Sequence, residues 1–315
     1  MQELLDKNEV RIGGAWEMLW IRGRILTAAV VVGVGAAYAA WLFLQQPLSW
    51  WWVALAASIP LSAIGMNLSY HPYFSHGAFK TGRLFKIVMG MWGAVNLRGP
   101  VIDWAAHHRR HHKYTDLPGR DPHTPWEYGR GAWPLLKGMG WVFIGEKLSR
   151  VRTVNQTWAA DLLADRDLLW LNRLYDLFAV ASLALPAAVA YAITGDPIEA
   201  LHGFVILGCA RAAMAFVMIS VVVNGLCHLV GAQPFRVADQ SRNIGWLTLP
   251  TFGGSLHHNH HVFPKSLKVS LNGELDPFDA VFLLLEKSGI IRDVRRPAAA
   301  KLEAARVDAS SQAAA

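Results

Sequence analysis

The chain alternates between long uncharged apolar stretches and polar segments crowded with histidine and arginine. Residues 25–45 carry no charge, and neither do 51–69. Two further apolar stretches follow at about 175–193 and 200–223, the last interrupted by His202 and Arg211. Crossing a hydrocarbon core of about 30 Å takes about 20 helical residues. The pattern therefore predicts four transmembrane helices at about 25–45, 51–69, 175–193 and 200–223. Trp50, Trp51 and Trp52 open the second and are expected to form an interfacial belt. Segment 83–97 is apolar but short and flanked by bases, which predicts a helix lying on the membrane surface. The first span begins too far into the sequence, and runs too long, for a cleaved signal peptide.

Charge sets the expected orientation. The turns 46–50 (QPLSW) and 194–199 (TGDPIE) contain no Lys or Arg, so the spans pair into two hairpins. Of the 30 basic residues, four fall in 1–24, fifteen in 70–173 and ten in 224–315; Arg211 is the exception. The positive-inside rule then puts both termini and the large middle segment in the cytoplasm. One domain, residues 1–296, is expected. Residues 297–315 are poor in bulky apolar side chains and are expected to be disordered.

Composition supports a membrane protein. Apolar residues make up 53% and charged residues 17%, against roughly 25% charged in a soluble domain. The net charge of +7 then suits an anionic lipid surface better than nucleic acid. Two cysteines, Cys209 and Cys227, exclude a disulfide framework and a four-cysteine iron–sulfur site. Thirteen histidines are the first sign of chemistry.

Ten of those histidines fall in four elements: HPYFSH at 71–76, HRRHH at 108–112, NGLCH at 224–228 and HHNHH at 257–261. His108, His111 and His112 follow the i, i+3, i+4 spacing of one helix face, as do His257, His260 and His261. Each cluster can aim three imidazoles at one place. Asn224 and His228 also share a face. His71 and His76, five apart, lie about 140° apart on an ideal α-helix. They need a break in the helix or serve two different metal centres, and Pro72 makes a local disruption plausible. Imidazole suits iron, copper, nickel or zinc. Nine candidate ligands, His71, His76, His108, His111, His112, His228, His257, His260 and His261, exceed what one ion takes and imply two metals. A closed structural zinc needs only four. His107, His123, His202 and His258 do not fit the spacing and are left as supporting or structural residues.

These motifs resemble the three histidine boxes, HxxxxH, HxxHH and HxxHH, of the membrane-bound acyl-CoA (fatty acid) desaturases, and NGLCH resembles that family's asparagine-plus-histidine element. GPVIDWAAHHRRHHKYTD, DPHTP and LEKSGIIRDVRRP are similar to bacterial Δ9-type members, and the likeness covers roughly residues 50–297. The resemblance implies an all-α integral membrane protein, with four transmembrane helices in two hairpins. A cytoplasmic helical cap would come from 70–173 and 224–296. It implies two non-haem irons on the nine histidines, one completed by a water held by Asn224. It also implies a long fatty acyl substrate, with acyl-CoA favoured, O2 as co-substrate and a cis double bond as product. The implied location is the inner membrane of a bacterium.

The chemistry is consistent with that implication. A C–H bond in the middle of an acyl substrate is neither acidic nor polarised, so a redox metal must break it. Flavin and nicotinamide fingerprints, a cysteine cluster and a haem domain are absent from the sequence. Electrons are therefore expected from a separate ferredoxin, rubredoxin-like protein or cytochrome with its reductase. The same scaffold could instead hydroxylate or decarboxylate acyl substrates. A membrane haem or metal-binding protein without activity is the non-enzymatic alternative.

Departures from the family pattern are few. Pro72 and Gly77 stand where the family usually has Arg. Gly253-Gly254-Ser255-Leu256-His257 lacks the acid of GE-x-x-H. LPGR, between Asp116 and Asp121, is one residue longer than usual. None removes a ligand. Arg211, costly inside a span, either reaches a polar group near the site or serves structure. Asp103, Trp104, Asp116 and Asp121 are candidates to orient imidazoles. Gly33 and Gly35 suit close helix packing. Arg109, Arg110 and Lys113 form a basic patch that could meet a coenzyme A phosphate, an acidic electron donor or lipid.

Overall fold

The computed structural model describes residues 15–148 and 152–307. Four helical segments are long and apolar enough to cross a membrane: Gly23–Gln45, Trp50–Ser75, Tyr175–Thr194 and Pro197–His228. Their outer faces carry exposed Leu26, Val34, Val53, Val180 and Leu185, as a lipid-facing surface requires. The third ends at Gly195 in the left-handed conformation, and Asp196 then caps the fourth by accepting from Ile198 N at 2.8 Å. Pro197 fills the first helical position, where a missing N–H costs nothing.

The second and fourth segments run 26 and 32 residues, longer than their apolar stretches. Both continue in π-helix: Gly65–Ser75 in the second, and Gly203–Ala210 and Val217–Val223 in the fourth. That extension carries His71 out of the apolar stretch within the helix, whereas His228 follows a turn at residues 224–225 and a short 3-10 helix, Leu226–His228. Gly203 lets the third and fourth segments touch backbone to backbone, since a Cβ there would stand 2.6 Å from Pro186 O. Gly35 likewise meets Cys209, as close packing predicts, whereas Gly33 faces open space.

Arg211 is a clamp inside the bundle. Its guanidinium donates to Ser62 Oγ and Val95 O, both at 3.2 Å, and to Ser182 Oγ at 2.5 Å, joining three other segments. The structural alternative for this residue is the one observed. The tryptophan belt is also corrected. Trp50 is exposed, but Trp51 is buried and donates Nε1–H to Glu199 at 2.9 Å, tying the second segment to the fourth.

The helix Arg83–Ala94 forms as expected from segment 83–97. It buries Met89, Gly90, Gly93 and Ala94 against the second segment and leaves Leu84, Val88 and Met91 outward. It shares a core with Tyr70, Phe74, Ile102, Trp104, Leu168 and Phe282. A two-residue antiparallel pair, Lys80–Thr81 with Ile291–Arg292, ties the stretch after His76 to the C-terminal region.

The tail corrects an expectation. Ala299–Ala305 is helical, and backbone bonds from Arg236 N to Ala305 O and from Val307 N to Pro234 O hold it down. Composition misled here because the anchoring bonds come from backbone. The N-terminal stretch 1–14 and the rest of the expected tail, 308–315, lie outside the described residues.

Candidate functional site

The π-helix resolves the spacing of the first histidine pair. Five residues make about one hydrogen-bonded π-turn, so His71 and His76 come to the same side, with ring centroids 5.5 Å apart. His108, His111 and His112 sit on the helix Val101–Tyr114, and His257, His260 and His261 on His257–Val262.

All nine candidate ligands converge, in two groups. His71, His76, His108, His112 and His260 form one; His111, His228, His257 and His261 form the other, with potential ligand atoms within 4.8 Å of one another in each. Each HxxHH element is therefore split rather than aimed at one place. In both, the i, i+4 pair goes to one group and the i+3 residue to the other. A helix face is wide enough for two neighbouring targets, and spacing alone does not separate them.

The nitrogens are at ligand spacing. In the five-histidine group, Nε2 to Nε2 distances are 2.8 Å for His71–His260, 2.9 Å for His260–His112, 3.0 Å for His112–His108 and 2.9 Å for His108–His76. In the four-histidine group they are 3.0 Å for His228–His257, 3.0 Å for His257–His261 and 3.3 Å for His261–His111. Nitrogen bonds of about 2.1 Å to an ion place adjacent octahedral ligands about 3.0 Å apart. The donor set fits two metal ions. Burial first, and neighbouring imidazoles second, hold His108, His112, His257, His260 and His261 well below the ordinary histidine range. His76 is lowered by burial, then His71, Arg109 and Lys265. These rings are neutral at pH 7, with lone pairs free for a ligand bond.

Three carboxylates hold the four-histidine group. His111 Nδ1 donates to Asp121 at 2.9 and 3.0 Å, His228 Nδ1 to Asp116 at 2.9 Å and His261 Nδ1 to Asp239 at 3.2 Å. An ionised carboxylate only accepts, so each Nδ1 carries the proton and each Nε2 keeps its lone pair. Burial alone would raise the pKa of Asp121, but the hydrogen bonds from His111 Nδ1 and His123 N bring it below the usual carboxylate range. His228 does the same for Asp116. Asp116 and Asp121 thus act as the sequence suggested. Asp103 does not: it accepts from Asn155 at 2.5 Å. Trp104 stacks on His108, centroids 4.8 Å apart. Asp239 was missed, because it comes from a loop with no helical spacing to any histidine.

The remaining histidines take other places. His107 Nδ1 bonds Asp103 O within its own helix, and His258 lies between Ser241 and Phe235. His123 stacks on His111, centroids 4.2 Å apart. His202 lies against Trp51 and Glu199. Asn224 caps the last π-turn, and a turn and a short 3-10 helix, not the single helix face its spacing suggested, separate it from His228. It is half-buried, and its side-chain amide makes no hydrogen bond among the described residues. The expected basic patch is mostly absent. Arg109 pairs with Asp161 and donates to Phe74 O, Ser75 O and Trp158 O, Arg110 is buried, and only Lys113 is exposed.

A narrow cleft, partly open to solvent, reaches the five-histidine group, lined by Asn67, His71, Phe252, Leu256, His260, Asp276 and Phe278 among others. Its walls are mainly apolar, as an acyl substrate requires.

Comparison with known proteins agrees with this geometry. Residues 73–267 match the family described as fatty acid desaturase. The chain is 35% identical to hex-5-enoyl-[acyl-carrier protein] acetylenase of Moorena producens (strain JHB), over 82% of this chain and 83% of that protein. It is 30% identical to the chloroplastic palmitoyl-monogalactosyldiacylglycerol delta-7 desaturase of Arabidopsis thaliana, covering 91% and 72%. It is 29% identical to the acyl-CoA C20 Delta5-desaturase of Anemone leveillei, covering 85% and 81%. The chain belongs to the fatty acid desaturase family and is an integral-membrane, oxygen-dependent oxidoreductase.

Proposed function

We propose that this protein is a membrane acyl desaturase whose single domain, residues 1–296, introduces a cis double bond, at the Δ9 position, into a long fatty acyl substrate. The observation that supports this most is the pair of imidazole groups, whose Nε2 atoms stand 2.8–3.3 Å apart. His71, His76, His108, His112 and His260 would hold one iron, and His111, His228, His257 and His261 the other, with a water held by Asn224. Bound there, iron supplies the one-electron redox chemistry with O2 that zinc lacks. In balance, two hydrogens leave adjacent methylenes and, with O2, two electrons and two protons, end as two waters.

The protein's own residues do the rest. The aspartates fix the imidazole tautomers. Phe252, Leu256 and Phe278 offer the substrate an apolar wall beside His71 and His260. Fixing the substrate against the oxidant is what selects one carbon pair. A separate protein supplies the electrons. The distribution of Lys and Arg favours termini and active site on the cytoplasmic side; the inner membrane of a bacterium is the location the sequence resemblance favours.

Acyl-CoA is the carrier the sequence resemblance favours. The names of the similar proteins also include an acyl-carrier protein and a galactolipid. Arg109 and Arg110 are spent inside the fold and offer nothing to a coenzyme A phosphate, so the name of the relative that uses acyl-carrier protein makes that the second reading of the carrier. The name acetylenase likewise makes a triple bond the second reading of the product.

Gas chromatography–mass spectrometry of lipids from an expressing host tests the reaction. New internal cis-alkenes that disappear in the His111→Ala variant are expected. Hydroxylated or terminal-alkene products without a new internal double bond would overturn desaturation.

A further inference from the structure

The two histidine groups have opposite surroundings. Three of the four imidazoles around the smaller group donate Nδ1–H to a carboxylate: Asp121, Asp116 and Asp239. Among the described residues, no carboxylate accepts from any of the five imidazoles of the larger group.

The carboxylates are held in place. Asp121 is fully buried and accepts backbone N–H from Asp116 at 2.8 Å and from His123 at 3.0 Å. Asp116 accepts from Gln240 N at 2.8 Å and from Thr124 Oγ1 at 2.9 Å, with its own backbone at φ +60°. A non-glycine residue in that left-handed region is uncommon and costs energy. Asp239 accepts from Ser241 N at 2.9 Å and from its hydroxyl. Three fixed negative charges, each one imidazole away from the same point, raise ligand basicity and attract a cation. The other group offers more ligands but neutral ones, with no carboxylate on any of them among the described residues.

We propose that Asp116, Asp121 and Asp239 are positioning residues that make the two metal positions unequal, so that the four-histidine position fills first and binds a divalent ion more tightly than the five-histidine position. This rests on the metal reading of the preceding section. The aspartates act through charge as well as orientation. Asparagine at position 116 separates the two, because its side-chain oxygen still accepts from His228 Nδ1 and Gln240 N, its amide can donate to the Thr124 hydroxyl, and it carries no charge.

The test uses the full-length protein in detergent, stripped with a chelator and titrated without oxygen with 57Fe(II), followed by Mössbauer spectroscopy. In the wild type, one quadrupole doublet is expected up to one equivalent and a second only afterwards, with affinities at least about tenfold apart. Removing an outer partner of a ligand typically weakens binding about 10- to 100-fold. Asp116→Asn is therefore expected to weaken the first phase by at least about tenfold and leave the second unchanged. Asp103→Asn, whose carboxylate meets Asn155 instead, is expected to leave both phases unchanged. Should Asp116→Asn fail to fold, Asp239→Asn is read in the same way.

Two doublets growing together in the wild type would overturn the proposal, as would equal weakening of both phases in the variant. A wild type that binds no iron at all would overturn the metal reading as well. Two equal sites would leave that reading standing and sink only the inequality.

Discussion

Asp239 accepts the Nδ1–H of His261 at 3.2 Å across 22 residues of sequence. A loop aspartate thereby fixes the orientation of a helix histidine, and the same device recurs at Asp116–His228 and Asp121–His111. The four-histidine group is the more tightly built of the two, and removing one ligand from it has a local consequence.

His111→Ala takes an imidazole from the four-histidine group and leaves the other five in place. Bound iron is expected to fall from about two ions per protein molecule to about one, with turnover lost. Metal analysis with a product assay checks this. Full activity in the variant would refute the ligand role.

Arg211 joins three segments through Ser62, Val95 and Ser182. Arg211→Ala removes bonds to a charged donor and opens a cavity, a loss of about 3 kcal/mol or more. A lower thermal midpoint in detergent, with unchanged iron per folded molecule, is expected. Unchanged stability with reduced iron would instead place Arg211 at the site.

Asp276 caps the helix Phe278–Lys287 by accepting from Phe278 N at 2.9 Å. Burial first, then the Asp279 charge, pushes its pKa up to about 6. Because the folded value lies above the unfolded one, the folded state binds this proton more tightly. That contribution is complete below about pH 4 and is lost as pH rises through about 6, up to about 3 kcal/mol. Asp276→Asn keeps a good cap and removes the buried charge. Its thermal midpoint is expected to exceed the wild type's at pH 8 and to match it near pH 4. A lower midpoint at pH 8 would contradict this.

Arg109 is committed to Asp161 and to the carbonyls of Phe74, Ser75 and Trp158, the first two of which close the π-helix that carries His71. Arg109→Ala is expected to lower the thermal midpoint by several degrees at any salt concentration. Lys113→Ala, at an exposed position, is expected to leave the midpoint unchanged. Equal effects would restore the idea of a shared basic docking patch.

The four spans and all nine histidines were legible in the sequence. Uncharged stretches of bilayer length have few other uses, and i, i+3, i+4 spacing is a direct statement about helix faces. The partition of each HxxHH element was not legible, since spacing names a face but not the targets opposite it. The pairing of His71 with His76 depended on a π-turn, which the sequence signalled only as a disruption near Pro72. Trp51 looked like a lipid anchor until Glu199, 148 residues later, proved to be its partner. Asp239 and the tail helix Ala299–Ala305 rest on long-range contacts that leave no periodic trace.

Anomalous diffraction at the iron edge, on crystals of the iron-loaded protein, tests the central claim most directly. Two peaks are expected, one enclosed by His71, His76, His108, His112 and His260 and the other by His111, His228, His257 and His261. A single peak, or a signal at the zinc edge alone, would contradict it.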